Sequence, residues 1–201
     1  MTAQAAVLSG ERRPAPLVLG MVLFLASETM FFGALFGAYF TLRGEAAAWP
    51  PAGVHLDLAE MLVATVILLA SSVPAHLAAH ALRAGGFGAT VRYLVLTAVM
   101  GLAFLGIKIH DWLTAGFTPA SHAYGTMFFA LTGFHALHMA VGILLLLGLA
   151  AKVAGGTYGP VPGRPARPAR IESGGPDAVV YYWHFVDAVW LGVFSTIWLL
   201  R

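Results

Sequence analysis

The fold of this chain is decided by residues 17–42, which read LVLGMVLFLASETMFFGALFGAYFTL. This run carries a single charged side chain, Glu28. A helix that crosses the hydrocarbon core of a bilayer needs about 20 apolar residues, whereas a barrel strand has about 10 residues that alternate in polarity. The stretch is therefore predicted to be a transmembrane helix with a carboxyl group roughly 16 Å from its start, at ~1.5 Å per residue.

Four more apolar segments follow, separated by short connections that contain helix-ending Gly and Pro residues. The 201 residues are 59% apolar and only 10% charged, which excludes an ordinary soluble domain and leaves no room for a sizeable one beside the spans. The predicted fold is all-α: a single polytopic membrane domain, residues 1–201, with five transmembrane helices in a bundle. The predicted spans are 17–42, 57–82, 91–115, 122–152 and 178–200.

The orientation follows from the eleven basic residues, of which eight fall on one side of the predicted spans and three on the other. Because cytoplasmic loops carry the excess of Lys and Arg, the N terminus is predicted to be cytoplasmic. Residues 155–177, which include RPARPAR at 164–170, are predicted to be an extended cytoplasmic linker. The basic residues on the first side are Arg12, Arg13, Arg83, Arg92, Lys152, Arg164, Arg167 and Arg170.

Five ionisable side chains are expected at membrane depth: Glu28 in the first span, His135 and His138 in the fourth, and His184 and Asp187 in the fifth. A charged group at a helix centre costs at least about 2.5–3.5 kcal/mol, so these groups should face the bundle and find partners. Residues three apart share a helix face, which places each same-helix pair together.

Three interpretations of these residues are open. They could form a hydrogen-bond network that keeps the first, fourth and fifth helices in register. Glu28 could instead be a titrating group in a proton-related role, since intramembrane acids often mark proton paths. The three histidines could also bind haem or a metal, although no second-shell partner is visible for them and the absence of Cys excludes thiolate sites.

Two further features are expected to have structural roles. Gly33 and Gly37 form a small-xxx-small pair that suits close helix contact. Lys108, His110 and Asp111 lie near the outer end of the third span, where a charged rim is expected, with Lys108 reaching the interface and Asp111 paired locally.

Three motifs carry a resemblance to a known family. They are LASETMFFG at residues 25–33, TGFHALH at 132–138 and YWHFVDAVW at 182–190. Together, in this order and on the first, fourth and fifth helices, they resemble subunit III of the haem–copper cytochrome c oxidases. The resemblance covers the chain from about residue 17 to its end, and the longer family members have seven helices, of which this chain resembles the last five.

The resemblance implies an accessory subunit, without an active site of its own, in a proton-pumping terminal oxidase of aerobic respiration. Such a subunit binds oxidase subunit I directly and assembles with subunit II and other oxidase subunits. It also binds phospholipid and supports proton uptake during oxygen reduction. Haem and copper are then expected in partner subunits, with no metal site or catalytic residue in this chain, and a multi-pass location in the bacterial inner membrane. A nucleic acid is not an expected partner.

Carried over by position, the family's buried carboxylate is Glu28, its histidine pair is His135 and His138, and its last motif supplies His184 and Asp187. These residues are the candidates for a buried polar or proton-associated network. Two alternatives are kept: subunit III of a quinol oxidase or of a nitric-oxide-reductase-associated relative, and an autonomous transporter. Glu rather than Asp at position 28 favours the cytochrome c oxidase branch of the family.

Overall fold

The computed structural model describes residues 15–159 and 174–200, which contain five long helices and no β-strand. All five are long and apolar enough to cross a membrane, which confirms the predicted all-helical, five-span fold. The helices are α1 (Pro16–Glu45), α2 (Leu58–Arg83), α3 (Phe87–Thr114), α4 (Ala123–Ala154) and α5 (Gly175–Phe194), and α5 continues into a π-helical turn, Ser195–Leu199.

The helix ends follow local chemistry. The Asp57 side chain accepts from the backbone N–H groups of Ala59 and Glu60 and so caps α2. His122 caps α4 in the same way, with its Nδ1 2.8 Å from the Gly125 nitrogen. Helix α5 begins three residues before the predicted span, directly after Gly174, whose φ of +77° suits glycine. Most of the predicted linker, including the repeat at 164–170, lies outside the described residues.

Four helices form a ring, because α2 packs on α3, α3 on α4, α4 on α5 and α5 on α2. Helix α1 stands outside this ring and packs on α4 and α5. It buries only Phe32 and Tyr39, whereas each of the other helices buries eight or more residues. The chain is therefore a four-helix bundle with one peripheral helix.

The centre of the bundle is built around Trp183 of α5. A Cβ added at Gly101 would lie 2.7 Å from its ring, and one added at Gly142 would lie 3.1 Å from it. The indole N–H donates to Ser71 Oγ at 2.9 Å, which ties α5 to α2. Two glycines thus open the space on α3 and α4 that this large side chain fills.

Gly33 and Gly37 do not have this role within the described part of the chain. No atom lies within 4 Å of a Cβ added at either position, and both residues are exposed on α1. The close helix contacts expected from the small-xxx-small spacing are instead made by Gly101 and Gly142. The spacing alone could not indicate which glycines face a neighbouring helix.

Candidate functional site

Glu28 of α1 and His138 of α4 meet where α1 packs on the ring. The Glu28 Oε2 atom lies 2.9 Å from His138 Nε2, and the two side chains are 20% and 14% exposed. The other imidazole nitrogen, Nδ1, lies 2.7 Å from the carbonyl oxygen of Phe134, one turn earlier on α4. Rings of Phe31 and Phe32 flank the imidazole. The pair is therefore a polar contact inside an aromatic surround.

The hydrogen bonds of His138 limit the pair to two protonation states. The Phe134 carbonyl can only accept, so the Nδ1 atom that faces it carries a hydrogen. A neutral imidazole with a hydrogen on Nδ1 has a lone pair on Nε2, and Glu28 must then be protonated to donate to it. The other possibility is an imidazolium that donates from Nε2 to a carboxylate. In both states one proton lies between Oε2 and Nε2, and the two groups can exchange it.

His184 and Asp187 meet on α5, where Ser72 of α2 joins them. The Ser72 hydroxyl donates to Asp187 Oδ2 in a short contact and lies 3.1 Å from His184 Nδ1. The second oxygen of Asp187, Oδ1, is buried and has no hydrogen-bond partner among the described residues. Two predicted site residues are thus brought together by a serine that the sequence reasoning did not single out.

His135 is separated from the other predicted residues. It is fully buried between the rings of Phe104 and Trp190, with ring centres 5.7 and 4.9 Å away. Neither of its nitrogens has a hydrogen-bond partner in the described structure. His135 and His138 therefore do not act together, although they stand three residues apart: one faces α3 and α5, the other faces α1.

The expectation that Lys108 reaches the membrane interface is wrong. Its side chain is completely buried, with Nζ 2.5 Å from Asp111 Oδ2. The same Nζ lies 4.6 Å from the ring centres of both Phe128 and Trp198, within the range of cation–π attraction. Inside the bundle the ammonium pairs with Asp111 and is surrounded by aromatic faces from α4 and the π-helical turn. Only His110, which pairs with Glu60 at 2.8 Å, belongs to an exposed rim.

Hydroxyl groups on α2 are the feature that the sequence reasoning missed. Thr65 Oγ1 accepts from the indole of Trp190, Ser71 accepts from that of Trp183, and Ser72 contacts Asp187 and His184. A signal existed, since Thr65 and Ser72 are seven residues apart and so share one face of the helix, with Ser71 beside them. Their partners on α5 could not be assigned without knowing that α2 and α5 are neighbours.

Across residues 15–159 and 174–200, no group of three or more His, Asp and Glu side chains is arranged to hold a metal ion. The acidic and imidazole groups meet in pairs instead: Glu28 and His138 join two helices, whereas His184 and Asp187 lie on one. The fold and these contacts define a polytopic membrane protein with polar pairs at mid-membrane depth.

Comparison with known proteins gives the family. The family model described as cytochrome c oxidase subunit III matches residues 6–200. Cytochrome c oxidase subunit 3 of Thermostichus vulcanus is 34% identical over 183 residues, which cover 91% of this chain and 87% of the relative. Probable cytochrome c oxidase subunit 3 of Mycobacterium leprae is 35% identical over 193 residues, covering 94% and 90%. Cytochrome c oxidase subunit 3 of Branchiostoma lanceolatum is 37% identical over 199 residues, covering 96% of this chain and 70% of the relative.

The chain belongs to the cytochrome c oxidase subunit III family. This confirms the resemblance drawn from the three motifs, and the match begins before the first of the predicted spans.

The geometry of the first pair predicts different results for two substitutions of Glu28. In Glu28→Gln the amide can donate to His138 Nε2, so the free energy of unfolding should change by less than about 1 kcal/mol. Glu28→Leu leaves that nitrogen without a partner and should cost about 1–3 kcal/mol. Unfolding in a denaturing detergent titration measures both. Equal losses from the two variants would contradict a hydrogen bond to Nε2.

Proposed function

We propose that this chain is the non-catalytic subunit III of a proton-pumping haem–copper oxidase in the bacterial inner membrane. It binds subunit I directly and assembles with subunit II and other oxidase subunits. Haem and copper are held by those partner subunits, which carry electron transfer to oxygen. This chain stabilises subunit I and supports proton uptake during oxygen reduction in aerobic respiration.

The observation that carries the proton-related part is the Glu28–His138 pair. Because the backbone bond at Nδ1 keeps one hydrogen in place, the pair retains a proton between Oε2 and Nε2. The proton can lie on either atom, at a depth where a water-poor environment provides few other acceptors. A group of this kind suits a subunit that buffers or relays protons near an oxidase.

The membrane orientation belongs to the same proposal. Arg83, Arg92 and Lys152 lie at the end of the bundle where α2 ends, α3 begins and α4 ends. We assign this end to the cytoplasm from the excess of basic residues. Phospholipid binding is supported by apolar side chains that face outward, of which Leu113 is 80% and Leu144 68% exposed.

The names of the three relatives favour cytochrome c over quinol as the electron donor, because each is a cytochrome c oxidase subunit. The competing function, an autonomous transporter, has no such support. We therefore place the chain in an oxidase rather than in a free-standing carrier.

The test compares the oxidase purified with and without this subunit. We expect the haem absorption spectrum to be unchanged, while the activity lifetime during sustained turnover becomes severalfold shorter. Restoring the wild-type chain should recover that lifetime. Stoichiometric haem on the isolated chain, or substrate flux through it in liposomes without partner subunits, would contradict the proposal.

A further inference from the structure

One side of α5 stays partly exposed, although α1 and α2 both pack on this helix. It consists of Tyr181, His184, Ala188 and Leu191, which we call the α5 seam. Tyr181 is 49% exposed, Leu191 is 43% exposed, and the His184 side chain is 39% exposed. The residues are spaced by three, four and three positions, the spacing with which one helix packs along another in a coiled coil.

The polar centre of the seam is a chain of three groups, Asp187, Ser72 and His184. The Ser72 hydroxyl has one hydrogen, which it gives to the Asp187 carboxylate. With Asp187 as a carboxylate, the hydroxyl accepts from His184 Nδ1, which lies 3.1 Å away. In a neutral imidazole this leaves Nε2 as an acceptor, and Nε2 makes no hydrogen bond within the described residues.

This acceptor lies deep in the membrane. His184 is nine residues after the start of α5, or roughly 14 Å at ~1.5 Å per residue, and Asp187 is roughly 18 Å from either end of the α5 and π-helical segment. Asp187 is itself nine-tenths buried and has one oxygen without a partner in the described structure. Lipid chains offer no donor at this depth, and an unsatisfied polar group there is costly.

We propose that the α5 seam receives a transmembrane helix of the oxidase subunit that this chain binds, and that a side-chain N–H or O–H on that helix donates to His184 Nε2. The proposal rests on the proposed function, because it names the surface through which that assembly occurs. Tyr181 and Leu191 supply the apolar rim, Ala188 allows close approach, and His184 selects a partner with a donor at the matching depth.

A second copy of this chain is a poorer occupant. Two copies in one membrane pack parallel around a two-fold axis, so the same patch meets itself. His184 would then face His184, with an acceptor opposed to an acceptor. A partner helix of different sequence avoids this mismatch.

The test uses a matched pair of substitutions in the full complex. Ala188→Trp fills the seam, whereas Ala103→Trp places the same bulk on α3, which packs on α2 and α4 at the other side of the ring. Both positions are exposed and lie 11 residues before the end of their span. We expect Ala188→Trp to reduce the amount of this chain that co-purifies with the oxidase by about tenfold and Ala103→Trp to leave it unchanged. Equal retention of both variants would overturn the proposal.

Photo-crosslinking identifies the occupant. A benzophenone amino acid at Leu191 should crosslink to a transmembrane peptide of a partner subunit, and the same group at exposed Leu102 on α3 should react with lipid. Crosslinks from Leu191 to lipid alone, or to a second copy of this chain, would overturn the proposal. If the wild-type chain does not co-purify with an oxidase, the proposed function fails. If it does but Leu191 finds no partner helix, only the seam fails.

Measurements on the isolated subunit separate a defect in assembly from a defect in folding. Ala188→Trp and Ala103→Trp should have the same thermal unfolding midpoint as the wild-type chain in detergent, because neither side chain is packed inside the ring. A third variant, His184→Leu, keeps the bulk of the seam and removes the acceptor. It should lower retention in the complex after a detergent wash by about tenfold, since a desolvated donor on the partner is left unpaired. Unchanged retention would overturn the hydrogen-bond part of the proposal.

Discussion

Asp111→Leu is expected to lower the free energy of unfolding of the isolated subunit by about 3–5 kcal/mol, because it leaves the buried Lys108 ammonium without its counter-ion. The pair is in contact at 2.5 Å and both side chains are almost completely inside the bundle. The aromatic rings that surround Nζ attract the charge but do not replace a carboxylate. Denaturing detergent titration, followed by tryptophan fluorescence, measures the loss.

The matched control removes both charges. The double variant Lys108→Met with Asp111→Leu should recover most of the stability, since a buried ion pair is often replaceable by apolar side chains at little cost. Glu60→Gln, in the exposed pair with His110, should cost less than about 1 kcal/mol. A double variant as unstable as the single one would contradict the ion-pair explanation.

Trp183→Ala should have an effect of similar size, about 3–5 kcal/mol, because it empties the centre of the bundle. The ring lies against Gly101 and Gly142, whose backbones cannot move in to fill the space without shifting α3 and α4. It also removes the indole hydrogen bond to Ser71. The same titration measures the change.

Two further variants test whether the loss of stability comes from the packing of Trp183 or from the removal of any aromatic side chain. Trp183→Phe keeps most of the ring and should lose about 1–3 kcal/mol through the smaller volume and the missing N–H donor. Tyr181→Ala, two residues earlier on the α5 seam, should change the isolated subunit by less than about 1 kcal/mol, since its ring is half exposed. A loss at Tyr181 equal to that at Trp183 would contradict the assignment of Trp183 to the core.

The five helices were predictable because a membrane span is a signal of length and composition, and both are readable without any tertiary information. The family was predictable because its motifs include charged residues in places where the membrane makes them rare. The burial of the Lys108 side chain was not predictable. It stands six residues before the end of α3, within reach of the interface, and its burial depends on Phe128 and Trp198 from other segments.

The histidines show the same limit. His135 and His138 are about 60° apart around the axis of α4 at ~100° per residue. This angle predicts that they share one face of the helix. Because α1 packs on one edge of that face and α3 and α5 on the other, the two rings enter different environments. Sequence spacing gives the angle between two side chains, but the neighbouring helices decide what each one meets.

The position of α1 outside the ring has a consequence for biogenesis. Glu28 is synthesised 110 residues before His138, and at about 5–20 residues per second the ribosome needs roughly 5–20 s to complete that interval. During this time α1 has neither α4 nor α5 to pack on, and its acidic side chain has no imidazole to bind. Helix α1 can therefore join the bundle, and Glu28 can meet its imidazole, only after α4 has been synthesised.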